Sequence, residues 1–424
     1  MQLTDNKYNF LKDAIPSLKQ QLLNFKAKEL KLDMTRGKPS TEQLDLSNAM
    51  LILPGPNDYI TESGSDCRNY GLLDGIAEAK VFFAKYMGIE SAEEVIIGGN
   101  SSLALMHDTL VHAMLHGVPG SEAPWIKLPK VKFLCPVPGY DRHFSVCEHL
   151  GIEMIPVKMN ADGPDMVTVK QLVANDETIK GIWCVPQYSN PTGIIYSDEV
   201  VKALANMETA ANDFRIMWDN AYAYHHLSDT HSQVANILSF CKAAGNEDRV
   251  FMFGSTSKIT LAGAGIAVLA ASERNAQWFK LHLSKQTIGH DKINQLRHLR
   301  FFENMQGLES HMQKHGKILK TKFGKVLEIF EKELSEVEGV SWSKPNGGYF
   351  ISLDTPNGCA AKVVALAADA GVKMTAAGAT FPYGKDPEDK NIRIAPSLPT
   401  LSEIETAMRI LCICVKIAVT EVYT

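Results

Sequence analysis

The chain has 424 residues, 45% of them apolar and 21% charged, with a formal net charge of -5. That length is too great for one hydrophobic core and predicts at least two domains. The mildly acidic balance lacks the basic footprint of a nucleic-acid binder, and no run of about 18 apolar residues offers a membrane span.

The N-terminal stretch MQLTDNKYNFLKDAIPSLK is polar and has no apolar segment of the signal-peptide kind. Eight cysteines, most of them in apolar runs, form no C-x-x-C pair. In a chain this long they read as reduced core thiols of a cytoplasmic protein, and the spacings of a zinc site are missing.

Taken in order, Asp5 to Lys28 reads as a helix, because Leu11, Ile15, Leu18, Leu22 and Phe25 recur at spacings of four and three. TRGKPS (Thr35–Ser40) then breaks it. From about Glu94 the rhythm changes. The short apolar runs EVIIGG, VKFLCP, IEMIPV, GIWCVP, RIMWD, RVFMFG and GIAVLAA alternate with helical stretches. Strands alternating with helices predict a largely parallel sheet covered on both faces. Residues 276–335 are long helical patterns interrupted near Gly289. The remainder reads as a smaller α+β unit. VSWSKPNGGYFISLD suggests two strands, AAKVVALAADAG a helix stopped by Gly371, and NIRIAPS a further strand. Thr400 and Glu403 have the spacing of a capping box that opens a last helix.

Ligands of open α/β sheets bind beyond the carboxyl ends of the strands, so the residues that follow each run carry the functional reading. EVIIGG leads into Asn100, Ser101 and Ser102, and VKFLCP into VPGYDRHF with Tyr140. GIWCVPQ leads into YSNPTG with Asn190. RIMW ends on Asp219, followed by Tyr222, and VFMFG precedes Ser255, Ser257 and Lys258. Singly, each has a plain alternative. The serines can be a helix N-cap, Asn190 a turn residue, and Tyr140 a core or surface aromatic. Asp219 after an apolar run and Lys258 among glycines and alanines are harder to dismiss, because buried charges need partners. Pyridoxal 5'-phosphate (PLP) satisfies the whole set. Its aldehyde needs a lysine amine, its pyridine nitrogen a carboxylate, its phosphate a helix N-terminus and hydroxyls, and its ring face an aromatic partner.

With these residues in view, the sequence resembles the fold-type I PLP-dependent enzymes, specifically the class I/II aminotransferases, from RGKP to IRIAPS. The resemblance implies an α/β fold: a large domain with a mostly parallel central sheet, and a smaller α+β domain built from both ends of the chain. We place these at residues 1–55 (small domain, N-terminal part), 56–300 (large domain) and 301–424 (small domain, C-terminal part). STSKITLAG looks like the family's lysine motif, which makes Lys258 the Schiff-base residue. WDNAY implies that Asp219 pairs with the pyridine nitrogen and that Tyr222 bonds the ring oxygen, which Asn190 of NPTG also contacts. Tyr140 of PGY matches the stacking aromatic. Arg393 of NIRIAPS matches the arginine that grips the substrate α-carboxylate, bidentately. Gly37 of RGKP matches a glycine near the substrate, and Tyr70 of NYGLLDG a tyrosine that reaches the phosphate of a neighbouring subunit, implying a homodimer with shared sites.

One position departs from the pattern. Most members carry an arginine eight residues after the lysine, and here that position is Ile266. The phosphate must then rely on Ser101, Ser102, Ser255 or Ser257, a helix dipole and Tyr70. The departure is closest to a divergent branch of aspartate aminotransferases.

The implied reaction is ping-pong transamination between an L-amino acid and a 2-oxo acid such as 2-oxoglutarate. A PLP-dependent lyase on the same fold and a PLP-sensing regulator are the alternatives, and the second lacks a helix-turn-helix segment here. A dicarboxylic substrate, aspartate or glutamate, needs a second cation besides Arg393. Arg36, Lys38, Arg68, Lys292 and Arg297 are the candidates, with Arg36 flanking Gly37.

Overall fold

A computed structural model describes residues 8–423. All seven apolar runs form strands of one eight-stranded sheet, whose eighth member is a short return strand. In chain order these are β1 (Val95–Ile97), β2 (Lys132–Val137), β3 (Glu153–Asn160), β4 (Gly163–Pro164), β5 (Ile179–Cys184), β6 (Arg215–Asp219), β7 (Val250–Ser255) and β8 (Ala267–Ala271). Across the sheet the order is β1-β8-β7-β6-β5-β2-β3-β4. The pairs β3–β2, β2–β5, β5–β6 and β6–β7 are parallel. The pairs β7–β8, β8–β1 and β3–β4 are antiparallel. The reversal at β8 follows from chain length. Parallel neighbours need a crossover of about a dozen residues or more, usually a helix, and only residues 256–266 link β7 to β8. Lys258 lies in that return loop.

β5, β6, β7 and β8 are buried at every residue, as strands covered on both faces must be. Their alternation divides two cores. Ile216, Trp218, Val250 and Met252 face one, while Met217, Phe251 and Phe253 face the other with Phe133 and Trp183.

A third core joins the two ends of the chain. Tyr8, Leu11, Leu32 and Met34 pack with Ile351, Leu353, Ile392 and Ile394. There β9 (Ser341–Trp342), β10 (Ile351–Asp354) and β11 (Asn391–Ile394) form an antiparallel sheet. Leu32 and Asp33 pair in parallel with Val372 and Lys373, an association of the N-terminal segment that its sequence did not signal.

Five helices matter for the site: α1 (Ser102–His116), α2 (Asp141–His149), α3 (Lys292–Phe302), α4 (Met305–Leu334) and α5 (Leu401–Tyr423). α4 crosses between cores, with Leu308 and Met312 in the first and Leu319 to Leu334 in the third. The capping box before α5 forms: Thr400 N–H donates to Glu403 Oε2 at 2.8 Å and Glu403 N–H to Thr400 Oγ1 at 3.3 Å.

The expected helix from Asp5 to Lys28 is instead two, Asn9–Lys12 and Ile15–Lys26, with residues 5–7 outside the described region. Pro16 explains the break: its ring excludes the carbonyl four residues earlier and it has no N–H to continue the ladder. Among the described residues no helix is long and apolar enough to cross a membrane.

Candidate active site

The carboxyl ends of β2, β5, β6 and β7 and the start of α1 surround a cavity of about 150 Å³. Ser101, Ser102, Tyr140, Asn190, Asp219, Tyr222, Ser255, Ser257 and Lys258 all line it. Nine residues spread from position 101 to position 258 are thus gathered at one point by the strand order.

Asp219 is the last residue of β6 and is buried. Its Oδ2 lies 3.0 Å from His143 Nε2. His143 stacks flat on Trp183, with ring centroids 4.1 Å apart and 7° between planes. The other oxygen, Oδ1, is buried with no hydrogen-bond partner among the described residues. A buried carboxylate oxygen left so is costly, and it marks the place where a donor is missing.

Lys258 shares the cavity. Burial pushes its amine below the usual lysine range, while the charge of Asp219 pulls the other way. Nζ lies 5.2 Å from the Tyr222 ring centroid. The lysine backbone is held from behind: its carbonyl accepts from Tyr349 Oη at 3.2 Å and lies 3.3 Å from His225 Nε2. Burial holds the Tyr222 hydroxyl well above its ordinary pKa and raises that of Tyr140 to about 12, so both keep their protons and can donate.

The loop itself is closed by Thr256. Its N–H donates to Ile266 O at 2.8 Å, and its Oγ1 accepts from Ile266 N–H at 2.8 Å. The Ile266 side chain is buried in the apolar core, so the position where an arginine was expected faces away from the cavity. Lys258 is the only cation among the cavity-lining residues. Ser257 Oγ donates to Asn100 O at 2.7 Å, and Asn100 Nδ2 lies 3.4 Å from Gly263 O. Asn100 is exposed and next to the lining serine Ser101.

Arg393 lies on β11 and is buried. Its Nη1 donates to Asp141 Oδ1 at 2.7 Å, and its guanidinium lies 5.0 Å from the Phe350 ring centroid. Gly37 packs on the tip of that ring, where an added Cβ would meet it at 2.7 Å. The neighbouring Arg36 and Lys38 are exposed and make no ion pair with another described residue. The remaining candidate cations are engaged locally. Arg68 pairs with Asp66 and covers Tyr59. Lys292 donates to Gly71 O, and Arg297 to Leu53 O and Asn294 Oδ1. Tyr70 stands outside the cavity, 85% exposed.

Sequence reasoning passed over His143, His225, Tyr349 and Asp141. The spacing of Tyr140 and His143 in YDRHF, three apart on one helix face, was the available signal for His143.

An open sheet that gathers a lysine, a carboxylate and hydroxyls at its strand ends defines a cofactor-dependent group-transfer enzyme. The comparisons with known proteins narrow this. The chain belongs to the aspartate aminotransferase family, whose profile matches residues 7–424. The aspartate aminotransferase of Corynebacterium glutamicum is 48% identical over 406 residues, 96% of this chain and 94% of that one. A Mycolicibacterium smegmatis relative is 53% identical over 397 residues, 93% of this chain and 92% of its own. The crystal structure of an aspartate transaminase from C. glutamicum superposes with a TM-score of 0.96 at 45% identity, covering 100% of both chains. The α-aminoadipate aminotransferase LysN of Thermus thermophilus, at 18% identity and a TM-score of 0.76, shares the fold. The chain is an aminotransferase of the fold-type I, PLP-dependent class.

Proposed function

We propose that this aminotransferase exchanges the amino group of aspartate or glutamate with a 2-oxo acid such as 2-oxoglutarate, with PLP held in the cavity at the ends of β5, β6 and β7. The observation that carries the assignment is the buried, partnerless Oδ1 of Asp219 in the same cavity as the Lys258 amine. A protonated pyridine nitrogen is the donor that this oxygen lacks. Bound there, PLP supplies an electron sink for the pair left behind when a substrate Cα–H is broken.

The residues divide the remaining work. Lys258 Nζ would take the proton from the substrate Cα and return it on the far side of the substrate nitrogen, as base and then acid. Its lowered proton affinity makes the neutral amine more available near neutral pH. Asp219 keeps the pyridine nitrogen protonated, and His143, clamped by Trp183, fixes the carboxylate through Oδ2. Tyr222 and Asn190 would hold the ring oxygen of the bound cofactor, and Tyr140 would cover its face; all three line the cavity. Ser101, Ser102, Ser255 and Ser257 hold the phosphate at the N-terminus of α1, whose unpaired N–H groups favour an anion. Arg393 grips the α-carboxylate. Arg36 takes the distal carboxylate: it flanks Gly37, which touches Phe350, which lies against Arg393. Eight free, buried cysteines agree with a cytoplasmic setting.

The test is a half-reaction panel followed at the cofactor absorbance. Aspartate or glutamate should convert the cofactor most efficiently, and Lys258→Ala should abolish both the visible band and conversion. An advantage of tenfold or more for alanine or phenylalanine, about 1.4 kcal/mol at the transition state, overturns the substrate assignment. A selective loss for dicarboxylates in Arg36→Ala identifies the distal cation.

A further inference from the structure

Arg393, to which the preceding reading gives the substrate α-carboxylate, already carries a carboxylate. Asp141 Oδ1 lies 2.7 Å from its Nη1, and the two side chains differ sharply in exposure, 6% for the arginine and 32% for the aspartate. Arg393 is fixed on three sides. It is on a paired strand, Phe350 lies against its guanidinium, and Thr375 Oγ1 is 3.4 Å from Nη2. Its Nε is buried without a partner, so the monodentate contact from Asp141 leaves the guanidinium incompletely used.

We propose that Asp141 is a built-in competitor for the substrate carboxylate, holding Arg393 in the empty site and yielding it when substrate enters. The proposal rests on the assignment of Arg393. Three features support an exchange. First, an arriving carboxylate that met the intact pair would find a neutralised cation, and two carboxylates would crowd one guanidinium. Second, the partner that can leave is the aspartate, because it alone has a path to solvent. Third, Asp141 is the first residue of α2. The positive end of that helix stabilises its charge whether or not Arg393 is paired. The swing needs only side-chain rotation, so Tyr140 and His143 on the same turn keep their positions. A carboxylate gripping Nη1 and Nη2 takes the nitrogen that Asp141 holds and makes two charge-assisted bonds where Asp141 makes one.

Such a competitor subtracts the same amount from every amino acid at the α-carboxylate. Asp141 therefore lowers affinity for all of them alike and leaves the ranking among substrates to whatever holds the distal group.

The experiment measures succinate binding to the holoenzyme by calorimetry. Succinate has both carboxylates but neither an amino nor an oxo group, so it reports affinity without turnover. Asp141→Asn should tighten succinate about fivefold, the size of a partly exposed ion pair, and lower the Michaelis constants of aspartate and alanine by similar factors. Asp141→Ser, which suits a helix start, is the second variant if the first folds poorly. Unchanged binding overturns the proposal, and weaker binding overturns it in favour of Asp141 orienting Arg393. Arg393→Lys separates the two readings. If it weakens succinate while Asp141→Asn does not tighten it, only the competitor fails. If Arg393→Lys leaves succinate unchanged, the assignment of Arg393 falls and the competitor with it.

Discussion

Asp219 depends on a side chain 76 positions away. His143 Nε2 meets Oδ2 at 3.0 Å and is itself pinned against Trp183. Replacing His143 with leucine removes the partner of a buried carboxylate oxygen, a loss of about 1–3 kcal/mol. We therefore expect the aspartate half-reaction of His143→Leu to slow by about tenfold or more, measured in single turnover. An unchanged rate removes His143 from the account. The contrast between these two residues shows what could be read from the chain alone. Lys258, Asp219, Tyr222 and Asn190 were legible because each lies at, or a few residues beyond, the end of an apolar run, and a parallel sheet presents such positions together. His143 leaves a helix, and its partner is set by strand order, which no local pattern records. The pairing of Arg393 with Asp141 was hidden for the same reason, since the two residues are separated by 252 positions.

The return loop carrying Lys258 is braced by helices behind it. His298 on α3 has Nδ1 at 2.8 Å from Asn294 O, so Nδ1 carries the proton and Nε2 accepts from Thr256 and Thr260 hydroxyls at 3.0 Å. Burial lowers its pKa to about 4 and that of His315 on α4 to about 3. Between those values and about 6.5 the unfolded chain binds more protons than the folded one, so stability rises with pH across this window. Melting temperature should therefore fall as pH drops from about 6.5 toward 4. His298→Gln, neutral throughout, should start lower but fall less steeply over the same range; a parallel fall shows that His298 does not contribute. The long helix α4 offers a second test, through two glycines of opposite kind. A Cβ on Gly316 would meet the His226 backbone oxygen at 2.5 Å, whereas one on Gly324 meets nothing within 4 Å. Gly324→Ala should stabilise by about 1 kcal/mol and Gly316→Ala should destabilise by about 1–3 kcal/mol, both read by denaturant melts. Equal effects would mean that α4 shifts freely against the loop at His226. Helical periodicity made α4 legible, but nothing in it distinguished these two glycines.

At the scale of the whole molecule, four of the large apolar side chains left in solvent lie on segments that are tied together. Leu51, Ile52, Tyr70 and Ile288 are 68%, 80%, 85% and 62% exposed. Their segments are tied together: Arg297 Nε donates to Leu53 O at 2.8 Å and Lys292 Nζ to Gly71 O at 3.0 Å. Two of the cations first considered for substrate thus serve as braces beneath this surface. A patch of large apolar groups on a braced support is the mark of an association surface, and a second copy of the chain is the occupant that the exposed Tyr70 calls for. The enzyme should therefore sediment as a homodimer. Ile52→Glu places a charge in the patch and should shift the protein to monomer with loss of activity, because the site then lacks the partner's contribution. Tyr70→Phe keeps the apolar surface and removes only the hydroxyl. It should remain dimeric while binding PLP more weakly, as measured by equilibrium dialysis of the cofactor. The two variants separate assembly from cofactor binding. A fully active monomer refutes the shared site altogether, whereas a dimeric Tyr70→Phe with unaltered PLP affinity leaves the interface standing and takes Tyr70 out of the phosphate site, which then rests on the serines and the N-terminus of α1 alone.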